Sequence, residues 1–221
     1  MVLVTDSPSD SMGLLRIGAW VPGTRALGPG LRFAMWLQGC CFSCPGCVAP
    51  GFIPQEGGTS LHIDTLLEEC IRCEPIDGIT ISGGEPMLQA EALATFLQHL
   101  RARVTRSVIV YSGFTLEELE RLAKRRPAIR AVLDQTDVLI DGRYQHSLND
   151  SLGLRGSSNQ VVWFLSERHK QDQELFTRAP RAPLERYDVP DGLMIVGVPT
   201  LATWRKAALD PTGRTILGDT D

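Results

Sequence analysis

The sequence predicts an α/β fold with mainly parallel strands, in a sheet that is open or curled into a partial barrel. Three features predict it. Short apolar runs rich in Val and Ile alternate with runs of helical period, which is the mark of βαβ units. The 221 residues, 43% of them hydrophobic, suit one domain of generous size or a domain with an appendage, and bury a core without disulfide staples. The glycine-rich and cysteine-rich stretches fall just after strand candidates, where sites collect in such sheets.

In chain order, the first dozen residues are polar and expected to fray. From LRIGAW to residue 164, strands and helices alternate. LRFAMWLQG is a strand that runs straight into cysteines. DTLLEECIRC places Leu66, Leu67, Cys70 and Ile71 on one helical face, with Asp64 as N-cap. DGITISGG is a short apolar strand ending in glycines. In AEALATFLQHLRARV, the residues Leu93, Phe96, Leu97, Leu100 and Val104 form one helical stripe. SVIVYSG is a strand of the buried type. TLEELERLAKR opens with a capping box, Thr115 with Glu118, and DVLIDG is a further strand. Residues 165–189 are charged and punctuated by proline, and read as a helix followed by a loop. GLMIVGVP is one more strand, and DPTGRTILGDTD a turn with a polar tail. The expected organisation is a core over 13–164 with a C-terminal extension over 165–221 packed on it.

Composition narrows the partners. A net charge of -4 offers no basic surface for nucleic acid. MVLVTDSPSDSMG lacks a positive start followed by an apolar run, and no stretch approaches the length of a membrane span. The expected location is the cytoplasm, with no membrane partner. There a close cysteine cluster is metal-binding or catalytic rather than disulfide-bonded.

Four of the six cysteines lie in LQGCCFSCPGCVAP, residues 37–50. Cys40, Cys44 and Cys47 have the spacing C-x3-C-x2-C, and Pro45 and Gly46 supply a tight turn between the last two. Three thiolates on one loop can hold three corners of an iron–sulfur cubane. No fourth ligand has a suitable local spacing, so one iron stays open, as in catalytic rather than structural metal sites. Zinc is the alternative occupant, although a structural zinc normally takes four ligands, and His62, His99, His146 and His169 form no ligand pair. Cys41 is off-register. Cys70 and Cys73 form a CxxC on a helix, where packing is the better reading than redox chemistry. The second motif is SGGEP, residues 82–86. Its paired glycines after a buried strand allow a ligand to approach the backbone, and Glu85 adds an acceptor for a ligand cation.

Together the cysteine loop and SGGEP resemble the radical S-adenosylmethionine (SAM) superfamily. The chain is similar to the activating components of anaerobic ribonucleoside-triphosphate reductase in GPGLRFAMWLQGC, CPGC, ITISGGEPM and YSGFTLEEL, and most specifically in DVLIDGRYQHSLNDSLGLRGSSNQVV. The resemblance covers roughly residues 13–164 in unbroken order. No second set of four cysteines is present, so the ferredoxin-like insert of some other activases is absent.

What the resemblance implies is a partial (β/α) barrel of the radical SAM type holding a [4Fe-4S] cluster and SAM. Reductive cleavage of SAM then yields a 5′-deoxyadenosyl radical, which takes a hydrogen from a backbone glycine of a partner glycyl-radical enzyme. That partner is expected to be the anaerobic ribonucleotide reductase, with a flavodoxin or ferredoxin as electron donor. The implied iron ligands are Cys40, Cys44 and Cys47. The implied SAM contacts are Gly46 and Val48 beside the last ligand, then Ser82, Gly83, Gly84 and Glu85 at the methionine end, and Asp141 and Arg143 at a strand end. Tyr111 and Ser112 end another strand, where lining the pocket and ordinary packing are both open, and RGSSNQ has no role from physics. CVAPGF departs from the family, which has Tyr or His then Asn after the last ligand. Two rivals stand beside this reading. One is a radical SAM enzyme acting on a peptide or small molecule. The other is a non-catalytic iron–sulfur electron carrier or zinc-stabilised module.

Overall fold

The computed structural model describes residues 13–73, 75–189 and 192–203. The expected N-terminal fraying and the turn and tail after Leu209 lie outside the described residues. A seven-stranded sheet is built from β1 Leu14–Thr24, β2 Arg32–Leu37, β3 Thr59–His62, β4 Gly78–Gly83, β5 Ser107–Ser112, β6 Val138–Asp141 and β7 Val161–Phe164. Its order is β3-β1-β2-β4-β5-β6-β7. The central four, β2, β4, β5 and β6, run parallel. At the two ends, β1 and β3 on one side and β7 on the other are antiparallel to their neighbours. Helices α1 Ile63–Arg72, α2 Ala90–Arg103, α3 Leu116–Ala123 and α4 Pro127–Gln135 connect the strands.

Strand side chains alternate between faces, and the core divides accordingly. Phe33, Met35 and Leu37 of β2, Ile79 and Ile81 of β4, Val108 and Val110 of β5 and Leu139 of β6 meet the helices. The helices answer with Leu66, Leu67 and Cys70 from α1, Leu93, Phe96, Leu97 and Leu100 from α2, and Val132 and Leu133 from α4. Cys70 is fully buried there and Cys73 packs against the same cluster, so both are packing residues. The intervening residues point to the inner face. Ala34 and Trp36 pack there with Val21, Leu27, Val196 and Val198, and Ile109, Val138 and Ile140 pack with Leu154 and Phe176.

The inner face is therefore covered by the chain after β7. A 3-10 turn, Glu167–Asp172, leads to α5 Gln173–Thr177 and then to a hairpin of β8 Glu185–Val189 and β9 Gly192–Val196. The loop expected before residue 189 is thus partly a strand. Charges in ERYDV mask its alternation, and Tyr187 alone marks the packed side. Tyr187 donates its hydroxyl hydrogen to Gly23 O at 2.5 Å, and Thr24 Oγ1 donates to Glu185 Oε2 at 2.6 Å, fastening the hairpin to β1.

One helix start also differs from expectation. Asp64 is not the N-cap of α1. His62, still paired with Leu14 in β3, occupies the cap position without a side-chain bond. The chain turns directly from strand to helix, so Asp64 falls in the first turn, where its charge suits the helix dipole.

The N-terminal end of the inner face is filled by a buried cation. Arg32 has no exposed surface. Its Nε donates to Thr80 Oγ1 at 2.7 Å, Nη1 to Ser107 Oγ at 2.9 Å, and Nη2 to Ile79 O at 2.8 Å. Burial lowers its pKa to about 10, against the attraction of Tyr111, Asp137 and Asp77.

Candidate metal and cofactor site

The three expected features meet at the C-terminal ends of β2, β4 and β5. The cysteine loop leaves β2 at Gln38, and the chain folds back on it: Gly39 N donates to Phe52 O at 2.9 Å and Cys40 N to Ile53 O at 3.0 Å. Gln38, almost fully buried, donates its amide to Pro54 O at 2.8 Å and to Glu56 O at 3.2 Å. Gln55 Nε2 donates to Cys40 O at 2.8 Å. The loop is held by protein alone.

Within it, Cys47 N donates to Cys44 O at 3.1 Å and Gly46 has φ 71°. Pro45 then Gly46 at the centre is a type II pattern, which needs glycine at its second position. Cys40, Cys44 and Cys47 are free and partly exposed, and Cys41 is exposed. Phe42 N donates to Cys40 Sγ at 3.3 Å and Ala49 N to Cys47 Sγ at 3.4 Å. Burial pushes the Cys40 thiol up to about 11, opposed by the Phe42 N–H, and burial likewise raises Cys47. Val48 is 41% exposed beside the last cysteine, open to a ligand.

SGGEP locks against this loop. Gly84 N donates to Leu37 O and Glu85 N to Gly39 O, both at 2.8 Å. A Cβ on Gly83 would stand 2.3 Å from Leu37 N and O, and one on Gly84 would stand 2.0 Å from Gly39 O. The missing side chains of these glycines admit the protein's own backbone, where β4 ends against β2. Ser82 pairs with Trp36 at the end of the same ladder and is partly exposed.

Glu85, the expected acceptor for a ligand cation, follows these glycines. It is fully buried, and its carboxylate accepts from Met87 N at 2.9 Å, Ser112 Oγ at 2.9 Å and Gly113 N at 2.7 Å. Its role here is to join the ends of β4 and β5. Burial outweighs the three donors and pushes its pKa up to about 7. Ser112 is thereby a packing residue. Tyr111 likewise donates its hydroxyl hydrogen to Leu154 O at 2.8 Å.

Asp141 ends β6 and is buried. Its Oδ2 accepts from Leu116 N at 2.5 Å and Trp163 Nε1 at 2.8 Å, and its Oδ1 from Val161 N at 3.3 Å. It fixes the turn that presents Arg143. The Arg143 guanidinium lies 4.7 Å over the Phe42 ring, and Phe42 meets Phe114 edge-on at 4.8 Å. Arg143 is exposed and adds a 3.7 Å ion pair with Glu118. RGSSNQ gains a structural role: Gln160 accepts from Gly156 N at 2.8 Å and donates to Gly142 O at 2.7 Å, bracing the same turn.

Among the described residues, no three His, Cys, Asp or Glu side chains converge tightly enough for one metal ion. A cubane differs, because each thiolate takes a different iron. The residues fit that group: three free soft donors on one loop, two of them already receiving backbone N–H groups of the kind that tune cluster sulfurs. The sequence reading missed Gln38, Gln55, Phe42 and Arg32. Polar Gln38 directly after an apolar strand and Arg32 inside one were the available signals.

The 4Fe-4S single cluster domain family matches residues 26–163. The anaerobic ribonucleoside-triphosphate reductase-activating protein of Escherichia coli (strain K12) is 32% identical over 146 residues, 62% of this chain and 91% of the relative. The protein of that name from Salmonella typhimurium is 30% identical over 161 residues, 68% of this chain and 99% of the relative. The chain belongs to this family of radical SAM activases. The family also reaches the pyruvate formate-lyase-activating enzyme of Clostridium pasteurianum, 28% identical over 145 residues, 62% of this chain and 61% of that enzyme. Its members are oxidoreductases that use a [4Fe-4S] cluster and SAM. Residues 165–221 lie beyond the family match.

Proposed function

We propose that the chain is a glycyl-radical activase, with an anaerobic ribonucleotide reductase as its partner and a flavodoxin or ferredoxin as electron donor. The observation that carries this is the interlocked pair of the three-cysteine loop and SGGEP, held at one end of a parallel sheet. Cys40, Cys44 and Cys47 hold a [4Fe-4S] cluster. Gly46 and Val48 lie against SAM on the loop side, with Ser82, Gly83, Gly84 and Glu85 at its methionine end on the strand side. Arg143, braced by Asp141, supplies a positive charge beside the loop. When bound, the cluster and SAM supply an electron and a 5′-deoxyadenosyl radical that takes hydrogen from the partner's glycine.

The chain's own residues orient these groups and exclude water. The central sheet, a core over 13–164, forms a partial barrel of the radical SAM type, and the described part of the extension over 165–221, residues 165–189 and 192–203, packs across its inner face. The proposed location is the cytoplasm. No helix among the described residues is long and apolar enough to cross a membrane.

The test is anaerobic reconstitution, then electron paramagnetic resonance of the chain with the reductase, SAM and reductant. A glycyl-radical doublet is expected. SAM cleavage without the doublet would move the substrate to a peptide or small molecule, and absence of SAM cleavage would leave an electron carrier.

A further inference from the structure

The extension meets the loop after β6 most heavily at one side chain. The Arg181 side chain is 2% exposed. Its Nη1 donates to Asn149 Oδ1 at 2.9 Å and to Pro199 O, and its Nη2 donates to Arg155 O at 2.7 Å and Gly156 O at 3.2 Å. The Asp150 carboxylate stands 3.9 Å away. Backbone bonds extend the seam: Gly153 N donates to Ala179 O at 2.8 Å and Leu154 N to Phe176 O at 3.0 Å. On its other side the extension is fastened to β1 through Glu185 and Tyr187.

From Arg181 a short path runs to the site. Gly156, whose carbonyl Arg181 holds, lies so close under Tyr144 that a Cβ there would meet the ring at 2.9 Å. The Tyr144 hydroxyl accepts from Asn149 Nδ2 at 3.2 Å. Gly156 N also bonds Gln160, which bonds Gly142, the residue before Arg143. Four oxygens, three carbonyls on two separate backbone segments and one side-chain amide, suit the fixed fork of a guanidinium and not a single ammonium. Arg181 Nε is buried without a partner among the described residues.

We propose that Arg181 is a positioning residue for the SAM site, acting by holding the loop 142–160 against the inner face. The inference rests on the radical SAM reading of the cysteine loop and gives the extension a role in that reaction. Arg181→Ala and Arg181→Lys in the full-length chain test it, with two readouts that need no partner. In the metal-free protein, hydrogen exchange in 142–160 rises roughly tenfold in Arg181→Ala, while α2 and β4 stay as in the wild type. In the reconstituted protein with reductant, the KM for SAM in uncoupled cleavage rises roughly tenfold, while kcat per bound cluster changes less than about twofold. Arg181→Lys, which keeps charge and length, gives intermediate shifts and decides the matter if Arg181→Ala does not fold. Unchanged exchange, or looser exchange with an unchanged KM, overturns the proposal. A fall in kcat per cluster at constant KM also overturns it. Failure of the wild type to raise a glycyl radical would remove the activase reading and leave both readouts decisive for Arg181.

Discussion

Cys44 illustrates how chemistry can be local while its support is not. The spacing of Cys40, Cys44 and Cys47, and the turn at Gly46, depend on eight consecutive residues and are legible in any reading of the chain. Cys44→Ala is expected to lower bound iron after reconstitution and to abolish 5′-deoxyadenosine formation, measured by iron analysis and chromatography. Glu85 is the opposite case. Its neighbours Ser112 and Gly113 are 27 and 28 residues away, so its burial depends on β4 lying beside β5. Its pKa of about 7 stands above the ordinary 4.5, so the folded state favours the protonated form. The stability this gives is full below about pH 4.5 and is lost as pH rises through about 7. The melting temperature of the metal-free wild type should therefore fall between pH 5 and 8 more steeply than that of Glu85→Gln. Parallel slopes would contradict the assignment. Phe42→Ala removes the ring between Arg143 and Phe114 and should hasten cluster loss in air, followed by the decay of visible absorbance.

Elements with self-contained signals were readable. α3 carries its capping box, with Thr115 accepting from Glu118 N at 3.2 Å and Glu118 returning the bond. Thr115→Ala should cost about 1 kcal/mol by denaturant titration. β3 and β7 are four residues each and mostly exposed on one face, so their pairing is set by β1 and β6 rather than by their own pattern. α4 opens on Pro127 at its first position, a start signal that the run of Arg and Lys before it hides. The glycine pair shows where motif reading stops: GG marks a close approach but not the approaching group. Gly84→Ala, with Gly39 O at 2.0 Å from the new carbon, should displace the loop from the strand end and abolish SAM cleavage, even if the far-ultraviolet circular dichroism is retained.

At the scale of the molecule, parallel strands were legible from alternating elements, whereas the covering of the inner face was not. It depends on which side of a strand meets Phe176, Val196 and Val198, and the period within β8 is masked by charge. Ending the chain at residue 164 should expose Val21, Ala34, Trp36, Ile109 and Ile140, giving strong binding of an apolar dye and aggregation on size-exclusion chromatography. The loop's anchoring at Gly39, Cys40 and Gln38 has a further consequence, for where the receptacle resides. Besides the short bonds within the loop, the thiol array is braced by the chain's own return through Phe52, Ile53 and Pro54, and by the bonds of Gly84 and Glu85 to Leu37 O and Gly39 O. A peptide spanning residues 37–50 alone has none of these braces, so the receptacle for iron and sulfide belongs to the folded sheet and not to the cysteine segment by itself.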